Sequence, residues 1–153
     1  MANSYSQVYI QAVFAVKYRR AVLHKAWRQE VFAVMGNLIN ETGCKAIIVN
    51  GVEDHVHLFF GLKPTCSLSE VMKVVKAKSS KFINESNFLQ HRFEWQRGYG
   101  VFSYSKSAVS NVYNYIERQE QHHAKKSMRQ EYIEQLKRFE IDYNEQYIFE
   151  ELQ

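Results

Sequence analysis

The chain has 153 residues, of which 46% are hydrophobic, with only one proline and six glycines; this suits one domain with a modest core and excludes collagen-like or linker character. No apolar run approaches the ~18 residues of a membrane span, and no basic run followed by an apolar block opens the sequence, so a cytoplasmic protein without membrane association is expected. Twenty Lys and Arg against sixteen Asp and Glu give +4, a tilt compatible with an anionic partner that does not by itself demonstrate one.

Val8 to Val16 alternates as a strand with a fully apolar face. From Val22 to Thr42, Leu23, Trp27, Val31, Val34 and Leu38 recur at helical spacing and Gly43 supplies a stop. Cys44 to Val52 is β-branched, Glu53-Asp54 reads as a turn, and His55 to Leu62 completes a hairpin. Ser67-Leu68-Ser69-Glu70 is a capping box opening a helix to about Asn84, with Leu68, Val71, Val75 and Phe82 on its stripe. After a polar stretch, Gly98 to Ser105 reads as a fourth strand. Ser105 or Ser107 caps a helix to about His122, and Ser127 opens another through Met128, Tyr132, Leu136 and Phe139.

This β-α-β-β-α-β order predicts an α+β, ferredoxin-like split βαβ sandwich with a four-stranded antiparallel sheet and additional C-terminal helices. Both crossover helices cover one face of the sheet, and the later helices are expected to approach the other. One domain spans 1–153, with 124–153 as a helical and aromatic C-terminal extension. Cys44 and Cys66 sit in no metal-like spacing and read as reduced, structural thiols.

Within the third strand, alternation sends His55 and His57 to one face and Val56, Leu58 and Phe60 to the other. Two imidazoles on one face make half of a divalent-metal site that needs a distant third ligand; equally, such a triplet can be two histidines on a solvent-facing strand. In the helix after Ser107, Val109, Val112, Tyr113 and Ile116 share an apolar face, which places Tyr113 in the core. Asn111, Tyr115, Arg118, Gln119 and His122 share a polar one. Tyr115 stands one turn from Gln119, offering a nucleophile beside a metal ligand, or simply an amphipathic tyrosine with its hydroxyl in water.

Taken together, several motifs resemble the single-tyrosine HUH transposases of the IS-two-hundred type, which mobilise small insertion sequences as single-stranded DNA. They are His55-Val56-His57-Leu58, Ser67-Leu68-Ser69, Lys76-Ala77-Lys78-Ser79-Ser80, Trp95-Gln96-Arg97-Gly98-Tyr99-Gly100, Phe102-Ser103, and Tyr115-Ile116-Glu117-Arg118-Gln119 with His122-His123. The resemblance implies that His55 and His57 are the metal-binding pair, Tyr115 the nucleophile and Gln119 a third ligand. The implied activity is cleavage and rejoining of single-stranded DNA at hairpin-bearing ends through a 5′-phosphotyrosine, with Mg²⁺ or Mn²⁺ as cofactor. It further implies a homodimer whose active sites are shared between subunits.

Lys73, Lys76, Lys78 and Arg97 are candidate DNA contacts. Lys78 falls among Val71, Val75 and Phe82, where an ammonium is costly unless it snorkels or meets an anion. His24, His91, His122 and His123 read as ordinary surface or helix-end histidines outside the site, although the last two sit close enough to the polar tyrosine face to touch DNA or metal. Two rival functions remain: a domesticated relative that processes repeated palindromic elements, and a non-catalytic nucleic-acid-binding module on the same scaffold, which would not need Tyr115.

Overall fold

The computed structural model describes residues 5–124 and 126–143. Four strands, β1 (Tyr9–Ala15), β2 (Lys45–Gly51), β3 (His55–Gly61) and β4 (Gly100–Tyr104), form one antiparallel sheet in the order β2-β3-β1-β4. The helices are α1 (Arg28–Glu41), α2 (Leu68–Glu85), α3 (Val109–Glu117), α4 (Gln119–His123) and α5 (Met128–Arg138). This is the expected split βαβ plan with added C-terminal helices. Among the described residues, no helix is long and apolar enough to cross a membrane. The expected aromatic tail lies largely outside the described residues, which end at Tyr143.

Alternation along β1 and β3 divides the apolar interior in two. Ile10, Ala12, Phe14, Val56, Leu58 and Phe60 meet α1 and α2 in the main core. On the other face, Val13, Ala15 and Phe102 pack against Met128 and Leu136 of α5, while Phe59 packs against Val112 and Ile116 of α3. The later helices therefore cover the second face, with β3 running beneath their meeting line.

Two glycines make these approaches possible. A Cβ on Gly51 would run into the His55 carbonyl oxygen and lie 2.9 Å from Val56 Cα, so only glycine admits the tight hairpin that presents His55. A Cβ on Gly100 would run into the Tyr132 ring, with the hydroxyl 2.6 Å away, so a bare backbone on β4 lets α5 settle on the sheet.

Several sequence expectations change, among them the serine cap of the tyrosine helix: Ala108 stands at the start of α3, and Ser105 and Ser107 bond each other instead. The first helix starts at Arg28 rather than Val22: Leu23 and Trp27 are buried, but from the loop that precedes it. The helix expected to reach His122 is broken at Arg118 (φ −99°, ψ 28°), and the Asn50 amide of β2 donates to the carbonyls of Ile116 (2.9 Å) and Glu117 (3.2 Å) at the break. Tyr113 is exposed rather than in the core. Lys78 is exposed as well, because the buried stripe of α2 is centred on Met72, Val75, Ser79 and Ile83. At ~100° per residue, Lys78 lies roughly a quarter-turn from that centre.

Ser127 caps α5 as expected and does so reciprocally: its hydroxyl accepts from Gln130 N, while Ser127 N donates to the Gln130 side chain. Ser67 caps α2 through Glu70 N. The stretch after α2 is fastened to that helix. Trp95 Nε1 donates to Ser79 Oγ at 2.9 Å, and Lys76 Nζ donates to the carbonyls of Gln96 (2.7 Å) and Gly98 (2.9 Å).

Candidate active site

His55 and His57 are both fully buried on the second face of the sheet, beneath the C-terminal helices. Their rings are 5.3 Å apart. Cross-strand partners set their height: His57 stands between Val13 of β1 and Asn50 of β2, and His55 opposite Ala15. This excludes the solvent-facing alternative for the pair.

Each imidazole is oriented through Nδ1. Asp54 Oδ1 lies 2.7 Å from His55 Nδ1, so this nitrogen donates and leaves the His55 Nε2 lone pair aimed into the site. Gln11 Nε2 lies 3.0 Å from His57 Nδ1. The Gln11 carbonyl already accepts from the Tyr104 hydroxyl (2.7 Å) and Gln135 Nε2 (3.1 Å), which turns its amide nitrogen toward His57. His57 Nδ1 therefore accepts, and its Nε2 carries the proton toward Glu131 Oε1 at 3.0 Å.

Glu131 is the largest departure from sequence expectation. It is 4% exposed, on the stripe of α5 that also buries Met128, Gln135 and Leu136. His123 Nε2 lies 2.9 Å and His122 Nε2 3.1 Å from its Oε2, and His55 Nε2 is 3.8 Å from Oε1. His55 and His123 approach each other at 3.1 Å between their Nε2 atoms. Burial alone would raise the Glu131 carboxyl, yet the hydrogen bonds and charge of His123 and His57 outweigh it and hold the group well below the usual carboxylate range. Burial pushes His55 down against Asp54, whereas Glu131 lifts His123 despite its burial.

One signal for Glu131 was available in the sequence, since a carboxylate on an apolar helical stripe needs a buried partner. No corresponding signal linked it to the third strand. His122 and His123, which the sequence sets at a helix end near the polar tyrosine face, both turn inward onto Glu131.

Tyr115 is half-buried in the same cleft, its ring 5.9 Å from His57 and 4.8 Å from His122. Burial and then the nearby Glu131 charge raise its phenol far above the ordinary value of 10.0. It borders a cavity of about 330 Å³ whose rim includes Lys126 and Arg138. Gln119 follows one turn on, fully buried, with Nε2 3.4 Å from the Tyr115 carbonyl and Oε1 without a hydrogen-bond partner. Buried Arg28 of α1 pairs with Glu120, which pins α4 beside the site.

The side chains present fit a divalent cation. Donor atoms of His55, His57, His123 and Glu131 all lie within 4.8 Å of one another, and the orphaned Gln119 oxygen is a further buried donor without a partner. The remaining candidates are elsewhere. Lys73 and Lys78 are exposed on α2, across the sheet from the histidines, and the Lys76 ammonium is occupied by two backbone carbonyls. Arg97 is exposed in the loop before β4, where it borders a separate cavity with Tyr99 and Tyr143.

Residues 4–119 match the family model described as "Transposase IS200 like". The transposases for insertion sequence element IS200 from Salmonella typhimurium and Salmonella typhi are each 29% identical over 112 residues, covering 70% of this chain and 73% of theirs. In fold, the chain is similar to a crystal structure described as a putative transposase from Deinococcus radiodurans (TM-score 0.61, 21% identity, 78% of this chain and 96% of that one). It is also similar to a REP-associated tyrosine transposase bound to a REP hairpin (TM-score 0.58, 13% identity, 80% of this chain and 74% of that one). With a family match over most of its length and the four-stranded α+β fold of its structural neighbours, this chain belongs to the IS200-like transposases, a family of DNA-processing enzymes.

Proposed function

We propose that this protein cleaves and rejoins single-stranded DNA at hairpin-bearing insertion-sequence ends, with Tyr115 as nucleophile and His55, His57 and Gln119 as holders of Mg²⁺ or Mn²⁺. The observation that carries the reading is the meeting of Tyr115 with the buried histidine pair in one cleft, its ring 5.9 Å from His57. When bound, the cation supplies charge neutralisation at a non-bridging phosphate oxygen. Histidine donors favour Mn²⁺ at least as much as the harder Mg²⁺.

The Tyr115 oxygen attacks phosphorus, a new P–O bond joins the phenol to the 5′ side, and the P–O3′ bond breaks. The phenolic proton is balanced by protonation of the departing 3′ oxygen, which becomes a free hydroxyl. The phosphotyrosine keeps the bond energy of the broken linkage, so a later 3′-hydroxyl can attack it and restore both the diester and the phenol without a nucleotide cofactor. Asp54 and Gln11 orient the two imidazoles, and Arg138 on the rim of the cavity beside Tyr115 is a cation for a phosphate, whereas Lys126 there is paired with Glu134. Exposed Lys73, Lys78 and Arg97 serve at most to hold DNA remote from the chemistry, and Lys76 fastens the loop before β4.

The reading includes a homodimer that shares its sites. The deciding experiment is incubation of labelled single-stranded hairpin oligonucleotides with protein and Mn²⁺, followed by denaturing electrophoresis. A metal-dependent covalent adduct lost in Tyr115→Phe is expected. Reversible binding alone, across hairpin substrates, would instead favour a non-catalytic binding module.

A further inference from the structure

We propose that His123 and Glu131 complete, with His55 and His57, a four-ligand site for a divalent transition metal in the DNA-free protein. This rests on the reading of His55 and His57 as metal ligands and adds two residues from the C-terminal helices, which in the DNA-free protein fill the positions that Gln119 and a phosphate oxygen take when DNA is bound. A tetrahedral ion bound at ~2.0–2.1 Å sets its donors roughly 3.3 Å apart, the edge of that tetrahedron. All four donor groups lie within 4.8 Å of one another, and their shortest contacts, counted to whichever Glu131 oxygen is nearer, fall around that edge, so an ion would draw the longer pairs inward. Those contacts are 3.0 Å for His57 Nε2 to Glu131 Oε1, 3.8 Å for His55 Nε2 to the same oxygen, 2.9 Å for His123 Nε2 to Glu131 Oε2, and 3.1 Å between His55 and His123 Nε2.

The chemistry of the donors points the same way. Three imidazoles and one carboxylate, all nine-tenths or more buried at the side chain, form a set that suits Zn²⁺, Co²⁺ or Mn²⁺ and discriminates against Mg²⁺, which holds its waters and prefers oxygen. Asp54 behind His55 gives the carboxylate–histidine support usual for a ligating imidazole. At His57 the incoming cation takes the place of the proton now shared with Glu131. Nδ1 must then carry hydrogen, and Gln11 must turn its amide to accept it. The site is also assembled from distant parts of the chain, since His57 and Glu131 are 74 residues apart in sequence. Metal binding would therefore fasten α4 and α5 to the sheet as well as supply charge.

The test uses the full chain, stripped with chelator and titrated with Co²⁺ while visible absorption is followed. The wild type should develop the intense bands of a tetrahedral site. Glu131→Gln and His123→Gln should each weaken Co²⁺ binding at least tenfold and lose those bands, and His57→Gln should abolish binding, with folding checked by circular dichroism. Because a variant can fail to fold, X-ray absorption of the Zn²⁺-loaded wild type provides an independent count: three imidazoles and an oxygen ligand are expected. Two imidazoles, or unchanged Co²⁺ binding in both new-ligand variants alongside loss in His57→Gln, would overturn the inference and leave the histidine-pair reading standing. Failure of the wild type to bind Co²⁺, Zn²⁺ or Mn²⁺ would overturn both.

Discussion

Glu131 of α5 and His57 of β3 lie 3.0 Å apart, and Gly100 on β4, two strands from β3 across β1, makes the approach possible. The Tyr132 ring, next to Glu131 in sequence, rests on the space where a Gly100 side chain would be. Gly100→Ala should therefore displace α5 or force Tyr132 aside. Overpacking of this kind costs about 1–3 kcal/mol. Urea denaturation should show the loss, and the double variant Gly100→Ala/Tyr132→Ala should recover part of it if the clash is its cause. Equal stability of wild type and Gly100→Ala would contradict this account of how α5 is seated.

Tyr115→Phe removes one oxygen and leaves the ring that packs against His57 and His122. Adduct formation should fall to background, while the denaturation midpoint stays close to that of the wild type. Burial and the Glu131 charge both hold the Tyr115 phenol protonated, so in an alkaline titration followed by ultraviolet absorbance the step missing from Tyr115→Phe should lie above the ordinary 10.0. Glu131→Gln should bring the late-titrating phenol to lower pH. A Tyr115 step at or below the ordinary 10.0 would show that the cleft is open to water.

Much of this site is legible in the sequence because two periodicities are strong. Alternation alone sends His55 and His57 to the face opposite Val56 and Leu58, and helical spacing alone sets Gln119 one turn beyond Tyr115. What misleads is the assumption that a polar helical face meets water. On α3 and α4 the face bearing Tyr115 and Gln119 turns inward because a polar site waits beneath it, and Tyr113 is left outside. Glu131 is hidden for a different reason: its partners are brought to it only by the sheet register and the seating of α5, neither of which is written locally in Gln130-Glu131-Tyr132. The exposure of Lys78 follows from a stripe centred on small and flexible residues, Ser79 and Met72, that a hydrophobicity pattern underweights.

Stability should fall in acid in two stages in chelator-treated protein. His55 has a folded value below its ordinary 6.5, owing chiefly to burial, so the stability linked to keeping it neutral is present above 6.5 and lost as pH falls below it. Glu131, depressed below its ordinary 4.5 by His123 and His57 in spite of burial, contributes above 4.5 and loses that contribution as pH falls further. His123 is raised by Glu131 against the opposing effect of burial, so its contribution has the opposite sense: full below 6.5 and lost as pH climbs through the folded value. Urea midpoints measured against pH should therefore show Glu131→Gln with a flatter slope below 4.5 than the wild type. Superimposable slopes would mean that the carboxylate is not held by its histidines.

Within one chain Tyr115 already meets His57, so a shared-site dimer requires the tyrosine helix to leave its own cleft and occupy its partner's. The break at Arg118 separates α3 from α4, while Asn50 and the Arg28–Glu120 pair hold the two helices to the body of the protein. Exchange must release or reproduce those contacts. Mixing His57→Ala chains with Tyr115→Phe chains, each inactive alone, reads this directly: a mixed dimer with exchanged helices contains one site with both lesions and one with neither. Restored adduct, up to about half of the wild-type yield per mixed dimer, is expected if the helices exchange, and it should carry the label on the His57→Ala chain, which alone retains the phenol. No adduct from mixed dimers verified by differential tagging would place each complete site within a single chain, and substitution of Asn50 by Ala would then be expected to lower stability without promoting exchange.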